Sequence, residues 1–245
     1  KIARVYLTLG RPEDASKISQ GLVDSEAAAV RAAGAGRSDA AGATKELDAL
    51  EASLKEPGLD QARGSLAACV RIFEVHYADG SLRTRAETLV KKGFEKLPPD
   101  LRIGFVLDLA VAAYRNGAPA HAKTLVDDAK SVVDTARWLP EDRIKHFARL
   151  AGARARTGDA AGVARDAELA VAVLDANKKT IPDFNRADVL LPVAEAYVAI
   201  GARASALKFY RRAAEEGALN PNARPRTEDL VSLALSLAKS DCEPD

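Results

Sequence analysis

A proline recurs along this chain at Pro12, Pro57, Pro99, Pro140, Pro182 and Pro225, at intervals of about 42 residues. A period of that length belongs to arrays in which one small supersecondary unit is copied and stacked. Acidic residues follow several of these prolines, in Pro12-Glu13-Asp14, Pro99-Asp100, Pro140-Glu141-Asp142 and Pro182-Asp183. Proline is tolerated at the first helical position, and an acid there complements the positive end of the helix dipole. Each proline therefore predicts a helix start.

A second mark follows each proline after several helical turns, at Gly36, Gly80, Gly117, Gly158 and Gly201. Glycine ends a helix in the left-handed conformation at little steric cost. Asp159, and Ser38 or Asp39, are placed as N-caps of the helix that comes next. The turns Ser38-Asp39-Ala40-Ala41-Gly42 and Gly158-Asp159-Ala160-Ala161-Gly162 are nearly copies. The unit is thus helix, tight turn, helix and a proline-marked loop. In the Pro140 unit, Ile144, Ala148, Ala151 and Ala155 form the apolar stripe of the first helix. Val163, Ala167, Val171 and Leu174 form that of the second, with Arg165, Asp166 and Glu168 off it.

Composition agrees with packed helices. Hydrophobic residues make up 47%, much of it alanine, and aromatics only 5%. Alanine favours the helix and lets helices approach closely. Runs with strand periodicity are absent, and the best of them, Ile103-Gly104-Phe105-Val106, lies inside a helical pattern. The expected fold is all-α: a right-handed superhelical α-solenoid of antiparallel helix pairs. It spans residues 1–245 as one domain, with units starting near 12, 57, 99, 140 and 182. A capping segment follows from about 225, its helix running from about Thr227 to Lys239. Residues 240–245 read as a polar tail, and Pro192, inside the first helix of its unit, predicts a kink, a break or the true start of that helix. The chain has no methionine and opens on Lys1-Ile2-Ala3-Arg4-Val5-Tyr6-Leu7, a mid-helix pattern. Sequence upstream, an export signal among the candidates, is the expectation. An apolar face exposed at such an end would favour self-association.

The segment from Tyr197 to Ala213 resembles a tetratricopeptide repeat, through Tyr197, Gly201, Ala206, Tyr210 and Ala213 in that motif's order and spacing. Gly117, Ala122 and Ala129 repeat part of the motif, with Tyr114 shifted by one, and Gly158 and Ala170 keep less. Phe209 to Gly217 is also similar to the Sel-one-like repeats. The period exceeds the roughly 34 residues of the standard repeat, so the resemblance is to a long-helix variant. It implies that the first helix of each pair lines a concave groove that holds a partner segment.

The residues offer little for catalysis. His76, His121 and His146 show no ligand spacing between them, and His146, between Lys145 and Phe147, reads as a partly exposed helix residue. There is no phosphate-binding loop and no nucleophile elbow. The adjacent pair Asp127-Asp128 points about 100° apart and reads as solvated helix face. Cys69 lies in an apolar helical stretch and reads as a buried, inert thiol, while Cys242 sits in the polar tail, so neither disulfide nor metal site is expected. The net charge of +1 carries no basic field for nucleic acid, and no run approaches the roughly 18 apolar residues a membrane span needs.

What remains is a surface. Lys145, Arg149, Gly152 and Arg156 share one stripe of the Pro140 unit's first helix, and Arg115, beside Tyr114, takes the place of Arg156 in the unit before. Stacked in register, Tyr114, Arg115, Lys145, Arg149 and Arg156 would suit the carboxylates of an acidic peptide, with Asp188 and Glu195 turning the next unit acidic. The alternative is that these charges only keep the surface solvated. The resembled family's carboxylate clamp uses a lysine and asparagine set that is not found at matching positions here. The leading expectation is a non-enzymatic protein-interaction scaffold without cofactor or metal. The runner-up is a ligand-sensing regulatory domain of a larger protein.

Overall fold

The computed structural model describes residues 39–240 except 56 and 94–96, and leaves the side chains of 183–185 aside. The readings made for Lys1–Leu7, Pro12, Gly36, Ser38 and Cys242 lie outside these residues. Among the described residues the chain is all-α, with ten helices and no strand. They are α1 (Ala40–Ser53), α2 (Leu59–Val75), α3 (Gly80–Lys92), α4 (Pro99–Arg115), α5 (Pro119–Thr135), α6 (Pro140–Arg156), α7 (Ala160–Asn177), α8 (Asp183–Ala199), α9 (Arg203–Ala218) and α10 (Ala223–Lys239).

The punctuation explains most of the boundaries. α4 and α6 begin on Pro99 and Pro140, and Pro182 is the N-cap of α8. Asp39 and Asp159 cap α1 and α7, accepting hydrogen bonds from the N–H of Gly42 at 2.8 Å and of Gly162 at 2.9 Å, so the near-copied turns are the same device twice. Such a cap is worth about 1 kcal/mol. Gly117, Gly158 and Gly201 end α4, α6 and α8 at φ of 76°, 75° and 71°, where a side chain would be strained.

Three expectations about helix boundaries are corrected. Gly80 does not stop a helix; it is the first residue of α3, and Asp79 before it is the cap, accepting from Ser81 and Leu82 N–H. The turn after α2 is made by His76, Tyr77 and Ala78 without glycine. The last helix starts at Ala223 rather than near Thr227, which puts Pro225 within its first turn, where no proline N–H is needed. α8 neither breaks nor begins at Pro192 but runs unbroken from Asp183 to Ala199. The carbonyl that Pro192 cannot bond is that of Asp188, an exposed residue open to water.

The chain divides into two compact units, one up to Leu125 and one from Val126 onward, the boundary falling within α5. In the first, α2 packs on α1, α3 and α4, and α3 also packs on α1 and α4. Its core is built by residues such as Leu66, Cys69, Ile72, Phe73, Ile103 and Leu109, all inaccessible to solvent. In the second, the first helices α6, α8 and α10 pack side by side, α7 pairs with α6, and α9 pairs with α8. Ile144, Ala148 and Ala151 of α6, and Val163, Ala167 and Leu174 of α7, are buried as their stripes require, with Ala155 and Val171 half-buried.

The second unit departs from the stripe rule at its centre. Asp166 is fully buried, and so is Arg154 at 1% exposure. Arg154 donates to Asp166 Oδ2 through Nε (2.6 Å), to Asp159 through one terminal nitrogen (2.8 Å) and to Asp127 through the other (3.0 Å). Three carboxylates thus share one guanidinium. Burial raises the Asp166 pKa despite the lowering effect of Arg154. The turn glycines set the register between helix pairs, and 43 residues separate Gly158 from Gly201. At that offset Arg154 corresponds to Tyr197 and Asp166 to Phe209, and those two rings stack with centroids 5.4 Å apart. One position in the helix pair is filled by an ion pair in α6–α7 and by an aromatic stack in α8–α9. His146, expected to be partly exposed, is buried at 4%, with its ring 4.1 Å from that of Trp138.

Candidate partner-binding face

Five of the seven surface residues singled out in the sequence lie in the second unit, on two neighbouring first helices. Lys145, Arg149 and Arg156 are on α6, and Asp188 and Glu195 on α8. Lys145 Nζ stands 3.4 Å from Asp188 Oδ2, so these two are brought together across the helix boundary. Both are substantially exposed, and such a pair contributes at most about 1 kcal/mol. Arg156 is exposed and turns back along its helix, its Nε 3.4 Å from the carbonyl of Gly152. A side-chain carbon added at Gly152 would meet nothing within 4 Å, so open space lies over that part of α6. Tyr114 and Arg115 are in the first unit, at the exposed end of α4. Arg115 donates to Glu74 at 3.3 Å, and Glu74 also receives Arg71 at 2.6 Å.

Glu195 opens onto a feature the sequence did not reveal. Between α8, α9 and α10 lies a cavity of about 450 Å³. Leu191, Val198 and Leu235 give it an apolar wall, and Glu195 and Lys239 stand among its lining residues. Ser236 on α10 donates to Glu195 Oε1 at 2.8 Å. Its oxygen then accepts from the hydroxyl of Tyr210, 2.8 Å away, and Tyr210 is buried at the back. This chain of bonds fixes one carboxylate oxygen of an exposed side chain, which makes Glu195 a pre-positioned acceptor. The apolar wall continues outward. Leu230, Val231 and Leu235 of α10 are 38%, 51% and 56% exposed, and only Leu233 of that helix is buried hydrophobic core. Leu235 lines the cavity and Val231 adjoins it one turn earlier, whereas Leu230 lies on the other side of α10, near Gly217; an exposed apolar pair at the cavity's edge marks a contact surface.

A second polar cluster, also invisible in the sequence, sits in the first unit. His121 on α5 meets the Tyr77 hydroxyl at 2.8 Å through Nδ1 and Glu87 at 3.1 Å through Nε2, and Lys91 donates to the other oxygen of Glu87 at 2.7 Å. Tyr77 and Phe73 pack edge-on at 5.3 Å, and the Arg83 guanidinium lies 5.1 Å from the Tyr77 ring. Both ring nitrogens of His121 are engaged, so the cluster ties three helical segments and presents no free base.

Cys69 is buried and its thiol is pushed up to about 12, chiefly by desolvation, which keeps it out of thiolate chemistry. Among the described residues no group of three histidine, cysteine or carboxylate side chains is placed to hold a metal ion, and no helix is long and apolar enough to cross a membrane. Neither a family model, nor a curated protein, nor a solved structure matches this chain.

Proposed function

We propose that the helix pairs form a tetratricopeptide-like solenoid and that the chain is a non-enzymatic scaffold, binding a segment of a protein partner along the face of its first helices. The observation that carries this reading is the cavity beside α10, where the apolar side chains Leu191, Val198 and Leu235 adjoin a held carboxylate, Glu195. An apolar seat with a few fixed polar groups is the composition of a recognition site. The charged stripe of α6 extends the same face, and Arg149 and Arg156 on it suit carboxylates of a partner. The second reading is a ligand-sensing regulatory domain, with the Glu195 carboxylate fixed by Ser236 orienting a small molecule in the same open groove.

The test is capture from an extract of the source cells with the wild-type chain and with Leu235→Asp, checked for unchanged helicity. A defined partner retained by the wild type and lost by the variant supports the scaffold. Retention by both, or by neither, contradicts it. Specific retention of a small molecule by the wild type alone would favour the second reading.

A further inference from the structure

We infer that the partner segment is an extended peptide carrying, in this order along the face, an acidic residue, then a basic residue about three residues on, then a branched apolar residue close after the basic one. The inference rests on the scaffold reading above and names the chemistry of its ligand.

The order follows from the register of the three first helices in the second unit. The turn glycines Gly158 and Gly201 place Gly152 of α6 level with Glu195 of α8. The helix starts at Asp183 and Ala223 place Glu195 level with Leu235 of α10. Two direct bonds show that these helices face each other along this surface, Lys145 to Asp188 between α6 and α8, and Ser236 to Glu195 between α8 and α10. A line across the face therefore meets Gly152, Glu195 and Leu235 in turn.

Each stop has a different chemistry. At Gly152 the space is open, and Arg149 and Arg156 flank it one helical turn away on the same stripe. A carboxylate entering there meets guanidinium donors. At Glu195 one oxygen is fixed by Ser236, and the exposed carboxylate suits a lysine or arginine of the ligand. At Leu235 the cavity wall of Leu191, Val198 and Leu235 seats an aliphatic side chain. No single-signed peptide satisfies all three stops. A wholly acidic segment would be repelled by Glu195, and a wholly basic one by the arginines of α6.

Spacing follows from geometry. Packed helices lie about 8–10 Å apart, and an extended chain advances about 3.3 Å per residue, so the first two stops are about three residues apart. Glu195 and the apolar wall line one cavity, so the basic and apolar residues are about two apart, on the same side of the extended peptide. A helical ligand, rising about 1.5 Å per residue, would need about twice that spacing.

The experiment is selection of short random peptides on the full chain, run in parallel on Glu195→Lys, Arg156→Glu and Leu235→Asp variants of unchanged helicity. The wild type is expected to enrich peptides with an acid about three residues before a basic residue and an apolar residue about two after it. A synthetic winner should bind, by fluorescence anisotropy, roughly tenfold or more tighter than the same residues in permuted order. Glu195→Lys should replace the basic residue by an acidic one and leave the other two stops unchanged. Peptides that enrich without that order, or with helical spacing, yet are lost in Leu235→Asp overturn this inference and leave the scaffold reading intact. Enrichment indifferent to all three substitutions, or none at all, overturns both.

Discussion

Replacing Arg154 by alanine should be among the most damaging single substitutions in the second unit. Arg154 is 1% exposed, and its removal leaves Asp166, fully buried, without its hydrogen-bonded counter-charge, only the more distant Lys130 and Arg165 acting on it, and leaves Asp159 and Asp127 with one donor fewer. Breaking a buried pair from one side costs about 3–5 kcal/mol, because the remaining charge stays desolvated. The register predicts the remedy. The next helix pair fills the same two positions with Tyr197 and Phe209, stacked at 5.4 Å, so Arg154→Tyr combined with Asp166→Phe should recover most of the loss. Replacing a buried ion pair by packed apolar groups is neutral to stabilising by about 1–4 kcal/mol in favourable cases. Asp159 keeps its capping bond to Gly162 N–H in that variant. The assay is urea unfolding followed by Trp138, the single tryptophan, which lies in the second unit with its ring on His146 and its N–H bonded to Val133 carbonyl at 3.0 Å. The pH dependence adds a sign. Asp166 has a raised folded pKa, so the folded state binds its proton more readily than the unfolded chain does. The stability this contributes is fully present below the unfolded value and is lost as pH rises through the folded one. Arg154 lowers that pKa, so its removal raises it further, and the Arg154→Ala deficit should shrink on acidification. A single-variant cost below about 1 kcal/mol, or a double variant no better than Arg154→Ala, would refute the reasoning.

Further outcomes follow from other contacts. Gly162→Ala should destabilise by about 1–3 kcal/mol despite alanine's better helix propensity, since the new methyl collides with Arg154 Cδ and the Asp159 carboxylate; in an Arg154→Ala background the penalty should fall but not vanish, because the Asp159 contact remains, measured by a double-mutant cycle in urea. His121→Ala should lower stability by about 1–2 kcal/mol by removing bonds to both Tyr77 and Glu87, and Tyr77→Phe by about 1, read by thermal melts. In a Cys242→Ser background, Cys69 should react with a thiol reagent only at the rate of unfolding, and fast labelling of the folded protein would contradict its burial.

Much of the helix-pair pattern was legible because it is local. Proline at a helix start, aspartate at an N-cap and glycine in the left-handed turn each act through bonds within a few residues, so Pro99, Pro140, Asp159 and Gly158 could be placed from their own surroundings. Gly80 misled because a helix can also stop without glycine, here through His76–Ala78, when an aspartate directly behind starts the next one. Periodicity puts Asp166 on the solvent side because it weighs each helix alone, whereas the partner Arg154 lies on the other helix of the pair. His146 follows the same logic, its neighbours Lys145 and Phe147 giving no sign of the Trp138 ring that covers it. On the candidate face, Lys145, Arg149 and Arg156 fall on α6, and Asp188 and Glu195 on α8. The sequence could not show that Lys145 faces Asp188, or that Ser236 and Tyr210 hold Glu195, since those bonds join residues far apart in the chain, on α6 and α8 and on α8, α9 and α10.

Photocrosslinking tests the binding face most directly. A photoreactive residue is placed in turn at positions 195 and 235 on the first-helix face, and at 165 and 172, exposed positions of the second helix α7. Each chain is irradiated in an extract of the source cells. The account predicts one discrete adduct from 195 and 235, suppressed by excess unlabelled wild type, and none from 165 and 172. Equal labelling from both faces, or discrete adducts from α7 alone, would contradict it.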